Sequence, residues 1–548
     1  MTDTKLEPFN DWPNDPGFDV DHEERTPVEL VVTGNIPAYA AGTLYRTGPG
    51  GYEVDTEQGT KFSFSHWFDG FTQNHRFQII APDPAEPEAA TRVLYNSRRS
   101  VDTLIESIRQ TGGYDGSTFG QKRDMCQSIF RKVSSKFTPS GEPGELSNIG
   151  VTVSINAVGF SREEGDTSGI QNLWINTDAA EHRQLDPETL EPIGYADQRK
   201  LHPELKGHLS AAHAQKDPVT GDDIHCNYNL DIGQTSTYRV FRVSSTTGKT
   251  DVLATIADAP PAYLHSLILT ENYVVLCVWG SHYAMGGAKF AETRNFVDAM
   301  NDLDPSKPNQ WFVVDRKHGN GVVAKYEGDA FFCFHTINAW EEPSPSDSSQ
   351  VDIVTDLSAY ENLDIIKRLY FENIKSTSPG SRAYLNNKGA TTRSSIQRWR
   401  LPFVTSAQPS SINRAGLDFA APKNKSCDLP TFNPLYSTKP SRYIYGAIDR
   451  GFSTFYDGLV KYDTVMQTAL IWSQHGHSGG EPIFVPNPDG TKEDDGILLS
   501  VVLNGHTGKS YLAVLDAKSL VEIGRASMEW PVGFGFHGAH YAAKDAKL

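Results

Sequence analysis

Residues 261–280 read PAYLHSLILTENYVVLCVWG. Leu, Ile, Val, Tyr and Trp run through the stretch as in an apolar β-strand, and one imidazole, His265, is set into it. A lone histidine in such a place is ordinarily a core residue with a satisfied hydrogen bond. Three further histidines share the setting. His213 lies in HLSAAHAQKDP (208–218), His335 in FFCFHTINAWEE (331–342) and His537 in PVGFGFHGAHY (531–541). Each stands within, or at the end of, an apolar or small-residue run of β type.

Short runs of this kind recur along most of the chain, as in TSTYRVFRVSSTTGKTDVLATI (235–256) and NQWFVVDRKHGNGVVAKYEGDAFFCFH (309–335). β-Branched and aromatic residues alternate with polar ones and are broken by Gly, Asn, Asp or Pro clusters. Only 100–135 and 283–302 have the period of amphipathic helices. No repeat of 40–50 residues with propeller signatures is present. Many short strands with few helices still favour a β-propeller or a large sandwich. No Pro/Ser-rich linker divides the 548 residues; EPSPSDSSQ (342–350) is expected to be a surface loop, and 1–548 a single domain with 1–24 as an N-terminal extension.

The formal charge of −18 argues against nucleic acid and against electrostatic attachment to anionic lipid. Five cysteines (Cys126, Cys226, Cys277, Cys333 and Cys427) form no CxxC pair, which disfavours a disulfide framework and a zinc–thiolate site. They suggest a reducing compartment. The first 20 residues are acidic and polar, unlike a signal or transit peptide. No window approaches 18 consecutive apolar residues. The expectation is a cytoplasmic protein.

Successive histidines of the set stand 52, 70 and 202 residues apart, too far for a local chelating motif such as HExxH. Four imidazoles buried separately in β core would each need its own partner; convergence on one point removes that difficulty. A propeller offers such a point on its axis, where the inner strands of different blades meet. Four neutral imidazoles without thiolate suit a first-row divalent ion such as Fe(II), Zn or Cu, and an octahedral ion so held keeps two open positions.

Several segments also carry a resemblance. YLHSLILTENYVVL (263–276), FHTINAWEE (334–342), GEPIFVPNPDG (480–490), EDDGILLSVVLNG (493–505) and YLAVLDAKSLVEIGRASMEWPVGFGFHG (511–538) are similar to signature segments of the carotenoid cleavage oxygenase family. IPAYAAGTLYRTGPGGYEV (36–54) and SHWFDG (65–70) resemble it as well, so the likeness runs from about residue 25 onward in the family's order. It implies an all-β fold, a seven-bladed β-propeller with a helical and loop cap over a central metal site. It implies Fe(II) held by His213, His265, His335 and His537. Acidic partners of three ligands are implied too. Glu481 matches one directly, whereas Asp178 in NTDAAEHRQLDPETL (176–190) and Asp428 in CDLPTFNP (427–434) stand where the family usually has Glu. One methylene shorter, an aspartate could lose the hydrogen bond, shift it or bridge it through water.

The resemblance further implies cleavage of a C=C bond of a carotenoid or apocarotenoid by O₂. Isomerase chemistry on the same iron site, or an apocarotenoid-binding propeller without catalysis, are the alternatives. DWPNDPGFD (11–19) resembles the fungal members, including torulene-cleaving ones, and Thr177 beside Asp178 counts against a phenolic stilbene substrate. Lipid-borne polyenes call for a peripheral membrane contact, for which 100–135 and 283–302 are candidates. Within the first, MCQSIFRK (125–132) resembles a membrane-facing segment of animal relatives. His66 is expected to be structural, His540 to cap or line the site, and His475 and His477, metal-like in spacing but set in a Gly-rich turn, to hold no metal. Phe331, Phe332, Phe334, Trp340, Phe534 and Phe536 are expected to divide between core and tunnel wall.

Overall fold

The computed structural model describes residues 9, 11–83, 85, 86, 89–122, 144–160, 169–230 and 236–543. Their strands form seven sheets of four to six strands, beside one two-stranded hairpin. Six sheets begin at the centre and meander outward in sequence order. These are the seven blades of a β-propeller.

The inner edges are His537–Ala542 in blade one, Thr152–Ile155 in blade two and Leu209–Ser210 with Gln215–Lys216 in blade three. Blades four to six place Ile268–Leu269, Phe332–Ser344 and Asp428–Thr431 there, and blade seven His477–Gly479 with Ile483–Pro486. Inner edges of neighbouring blades lie against one another around the axis. The second strands are buried on both sides, because each blade is covered by the next. Tyr273–Val278 and Gly496–Asn504 therefore read as continuous apolar runs instead of alternating. Leu276 is fully buried there, and Leu276→Ala is expected to cost about 2–5 kcal/mol in urea unfolding.

Two pairings close the ring. His537–Ala542 lines up antiparallel with Gly42–Pro49 (Thr47 opposite His537) as the innermost strand of blade one. Val31–Gly34 pairs with Glu522–Ser527 as the outermost strand of blade seven. Of the stretch expected as an extension, the described part packs into the body. Asn14 donates to the Ile374 carbonyl and Thr454 Oγ1, and Phe18 is packed among Trp67, Phe371, Phe455 and Phe534. A Cβ on Gly505 would lie 1.7 Å from the Pro13 carbonyl oxygen, so this contact requires glycine.

Local structure meets expectation at the start of 100–135 and departs from it in two other places. A helix Asp102–Thr111 forms inside 100–135, closed by Gly112 at φ 75°, while 123–135, with Cys126, Ile129 and Phe130, lie outside the described residues. The 283–302 segment is broken into a 3-10 turn Ala284–Gly287 and short helices Ala288–Thr293 and Phe296–Ala299. Met285, Gly286, Gly287 and Arg294 all take positive φ there, which no continuous helix admits. The 342–350 stretch is the tip of a hairpin between Phe332–Ser344 and Asp347–Tyr360 rather than a loop. Ser346, Asp347, Ser348 and Ser349 are exposed and Ser344 is buried, while the backbone continues the ladder. Three helices, Asp364–Arg368, Phe371–Ile374 and Pro379–Lys388, follow Asp347–Tyr360 in the chain, and Ile365 of the first reaches the propeller centre.

Candidate metal centre

The inner edges bring His213, His265, His335 and His537 together, and one nitrogen from each lies within 4.8 Å of the others. His213 follows Leu209–Ser210, and its residue bridges to Ser266 of the next blade. His265 stands three residues before Ile268 of the strand Ile268–Leu269. His335 projects from Phe332–Ser344, and His537 opens the closing strand. Blades one, three, four and five thus supply the imidazoles, and the other three supply carboxylates.

Asp178, in the turn after Leu173–Asn176 of blade two, receives His265 Nδ1 at 2.9 Å on Oδ1. Asp428 of blade six receives His335 Nδ1 at 2.5 Å on Oδ1. Glu481 of blade seven receives His537 Nδ1 at 2.7 Å on Oε1. Among the described residues no carboxylate reaches the His213 ring. The shortened acids therefore bond their histidines directly. Each bond places the proton on Nδ1 and turns the Nε2 lone pair toward the centre.

The inward nitrogens are close. His537 Nε2 lies 3.0 Å from His213 Nε2 and 3.2 Å from His335 Nε2. Lone pairs facing one another at that range repel unless a cation stands between them. A separation of about 3 Å is what neighbouring donors ~2.1 Å from one ion give. Four neutral imidazoles at this spacing fit a first-row divalent ion. Burial holds the pKa values of His213 and His537 well below the ordinary imidazole range, and the neighbouring histidines add to the effect, so both stay neutral donors.

The acids have further partners that the sequence reading did not name. Asp178 Oδ2 accepts from the Tyr263 hydroxyl at 2.6 Å, and Asp428 Oδ2 accepts from the Tyr360 hydroxyl. Glu481 Oε2 accepts from the Gly538 N–H at 2.8 Å and from Arg46 Nη1 at 3.2 Å. Burial opposes ionisation of Asp428. The adjoining His335 ring, with hydrogen bonds from His335, Tyr360 and the Leu429 N–H, outweighs it and keeps that carboxyl below its usual value. At Glu481 burial prevails over Arg46 and Gly538, and the pKa is pushed up to about 7. A divalent cation among the imidazoles would favour the carboxylate.

Beside the imidazoles opens a cavity of about 430 Å³ whose wall includes His265, His335 and His537. Phe68, Phe119, Tyr263, Phe334, Phe536 and Leu369 are among its apolar lining. Thr177 borders it as well. Of the aromatic candidates, Phe334 and Phe536 line the cavity. Phe331, Phe332, Trp340 and Phe534 belong to the packed core.

The remaining histidines stand apart. His66 caps the 3-10 turn Trp67–Asp69, with Nε2 bonded to the Ile366 carbonyl at 2.9 Å. His540 Nε2 meets the Ala40 carbonyl, His477 Nδ1 meets the Tyr511 hydroxyl, and His475 packs its ring on Trp12 and His506. Among the described residues no helix is long and apolar enough to cross a membrane.

Comparison with known proteins agrees with this architecture. A Neurospora crassa protein called carotenoid dioxygenase is 42% identical, with 97% of this chain and 91% of that protein aligned. A torulene dioxygenase of Gibberella fujikuroi is 41% identical over 98% of this chain and 95% of its own length. The solved structure of a Synechocystis apocarotenoid oxygenase variant superposes with a TM-score of 0.71 at 20% identity, covering 98% of this chain and 99% of that one. The sequence profile of the family described as retinal pigment epithelial membrane protein matches residues 17–542. The chain therefore belongs to the retinal pigment epithelial membrane protein family, in which carotenoid oxygenases are found.

Proposed function

We propose that this protein is an Fe(II)-dependent dioxygenase that cleaves one conjugated C=C bond of a carotenoid or apocarotenoid, torulene- or β-carotene-like. The observation that carries the reading is the placing of His265, His335 and His537 on the wall of an aromatic cavity. A polyene lying in that cavity would pass beside the imidazoles that would hold the ion.

His213, His265, His335 and His537 would hold the iron, and Asp178, Asp428 and Glu481 orient three of their rings. Iron(II), when bound, supplies the means of activating O₂. Both atoms of O₂ enter the products: the double bond is broken and each of its carbons leaves as an aldehyde carbonyl. Phe68, Phe119, Phe334 and Phe536 would position the polyene by apolar contact, exclude water, and present ring faces to positive charge developing along it. Depth of insertion would select the bond.

Polyene supply requires a lipid surface. Segment 283–302 supports a peripheral contact, because Phe290 and Phe296 line the cavity while Met285, close by in the chain, is largely exposed. Segment 100–135 is the other candidate, and a cytoplasmic location accords with the cysteine usage.

The test is anaerobic loading with Fe(II), followed by β-carotene, torulene or an apocarotenal in detergent under ¹⁸O₂. Two aldehyde fragments, each with one labelled oxygen, are expected in the mass spectrum, and their masses name the bond. An intact, isomerised polyene would replace this reading with isomerase chemistry, and tight binding without turnover would leave a carrier.

A further inference from the structure

We infer that Tyr360 is a positioning residue for the metal centre: its hydroxyl completes the shortened Asp428 and so fixes the ring of His335, as Tyr263 does for Asp178 and His265. The inference rests on the four histidines holding a divalent ion.

The three acids are supported differently according to their length. Glu481, the long one, spends its second oxygen on a backbone N–H and a guanidinium. Asp178 and Asp428, the short ones, each accept a buried tyrosine hydroxyl on Oδ2, which in Asp178 also lies 3.0 Å from His265 Nδ1. Each tyrosine comes from the blade that carries the histidine being oriented. Tyr263 stands two residues before His265, and Tyr360 ends the strand Asp347–Tyr360, opposite Phe332 at the start of the His335 strand. Histidine and tyrosine thus grip one carboxylate from the same side, and that carboxylate belongs to another blade.

Asp428 sits in a buried setting where an oxygen without a donor is costly. With the hydroxyl on Oδ2, Oδ1 is held toward His335 Nδ1 and the Leu429 N–H. Without it the carboxylate has a reason to rotate, and the imidazole follows. A glutamate at 428 would carry its carboxylate one methylene further, into the space of the Tyr360 hydroxyl. Asp with Tyr and Glu with Phe are therefore alternative ways of filling one site. Tyr360 is the one to test, since Tyr263 also lines the cavity and its hydroxyl lies 3.2 Å from His265 Nδ1.

The experiment measures Co(II) affinity by chelator competition, with the visible d–d spectrum as the report on ligand geometry. The parent, Tyr360→Phe, Asp428→Glu and the double variant are compared. Each single variant is expected to bind about 10-fold more weakly with shifted bands. The double variant should return to within about 3-fold of the parent with parental bands, a strongly non-additive cycle. Parental affinity and spectrum in Tyr360→Phe, or losses that multiply in the double variant, would overturn the inference while leaving the metal centre intact. A folded parent that does not bind Co(II) would instead remove the metal reading beneath it. Should Tyr360→Phe alone not fold, the double variant decides by the same criteria. If neither folds, Tyr360 is a packing residue and the inference is wrong.

Discussion

His335→Ala is expected to leave a folded protein that neither retains iron nor cleaves a polyene. Loss of an oriented imidazole removes a donor outright, so its effect should exceed the ~10–100-fold cost of losing a supporting acid. Iron content by inductively coupled plasma mass spectrometry should fall below a tenth of the parent's, with product formation lost in proportion. The variant also leaves Asp428 with the Tyr360 hydroxyl and the Leu429 N–H as donors, enough to keep it satisfied in the core. The apo-protein should therefore unfold near the parental temperature. His66→Ala makes the contrast: it removes a cap and a bond to the Ile366 carbonyl, and is expected to lower stability while iron content per folded molecule stays unchanged.

The second large effect is expected at Arg46. Its guanidinium is buried and donates both to the Glu481 carbonyl, at 3.0 Å, and to the Glu481 carboxylate. Arg46→Met strands that carboxylate in the core, and such a break costs about 3–5 kcal/mol. The pH dependence carries a sign. Burial holds the Glu481 carboxyl above its unfolded value, so the folded protein takes up the extra proton and its stability falls as pH rises through about 7. Removing the positive charge raises that pKa further, and the penalty of Arg46→Met should be largest in alkali and shrink as the pH falls. Urea unfolding of the apo-protein between pH 5 and 9 measures it. Adding Glu481→Gln should recover most of the loss, because neither partner is then charged.

What the sequence makes readable divides along physical lines. The four histidines stand out because an imidazole in an apolar β run is costly without a purpose, and that cost can be judged one residue at a time. Asp178, Asp428 and Glu481 emerge only through resemblance, since nothing in a loop aspartate says which blade it faces. Tyr263 was within reach: residues two apart on an extended segment share a face, so a tyrosine at 263 points the same way as His265. Tyr360 and Arg46 were not, because their partners are set by register across strands and by packing between blades. The β content was plain from the alternating runs. The breaks at Met285 and Arg294 were not, because an apolar period of 3.6 survives in the residues even where the backbone turns left-handed.

The closing strand has a consequence for how such a molecule is made. His537–Ala542 enters blade one some 490 residues after Gly42–Pro49, its partner in the ladder. At ribosomal speeds that separation is on the order of half a minute or more, during which the early strand presents an unpaired edge to the cell. Over the last 202 residues of that interval, from His335 to His537, the nascent protein carries three of the four imidazoles and lacks the one that approaches two of the others. Metal capture is thus timed by ring closure: a nascent or truncated chain can fold blades, yet it has no finished cage to load.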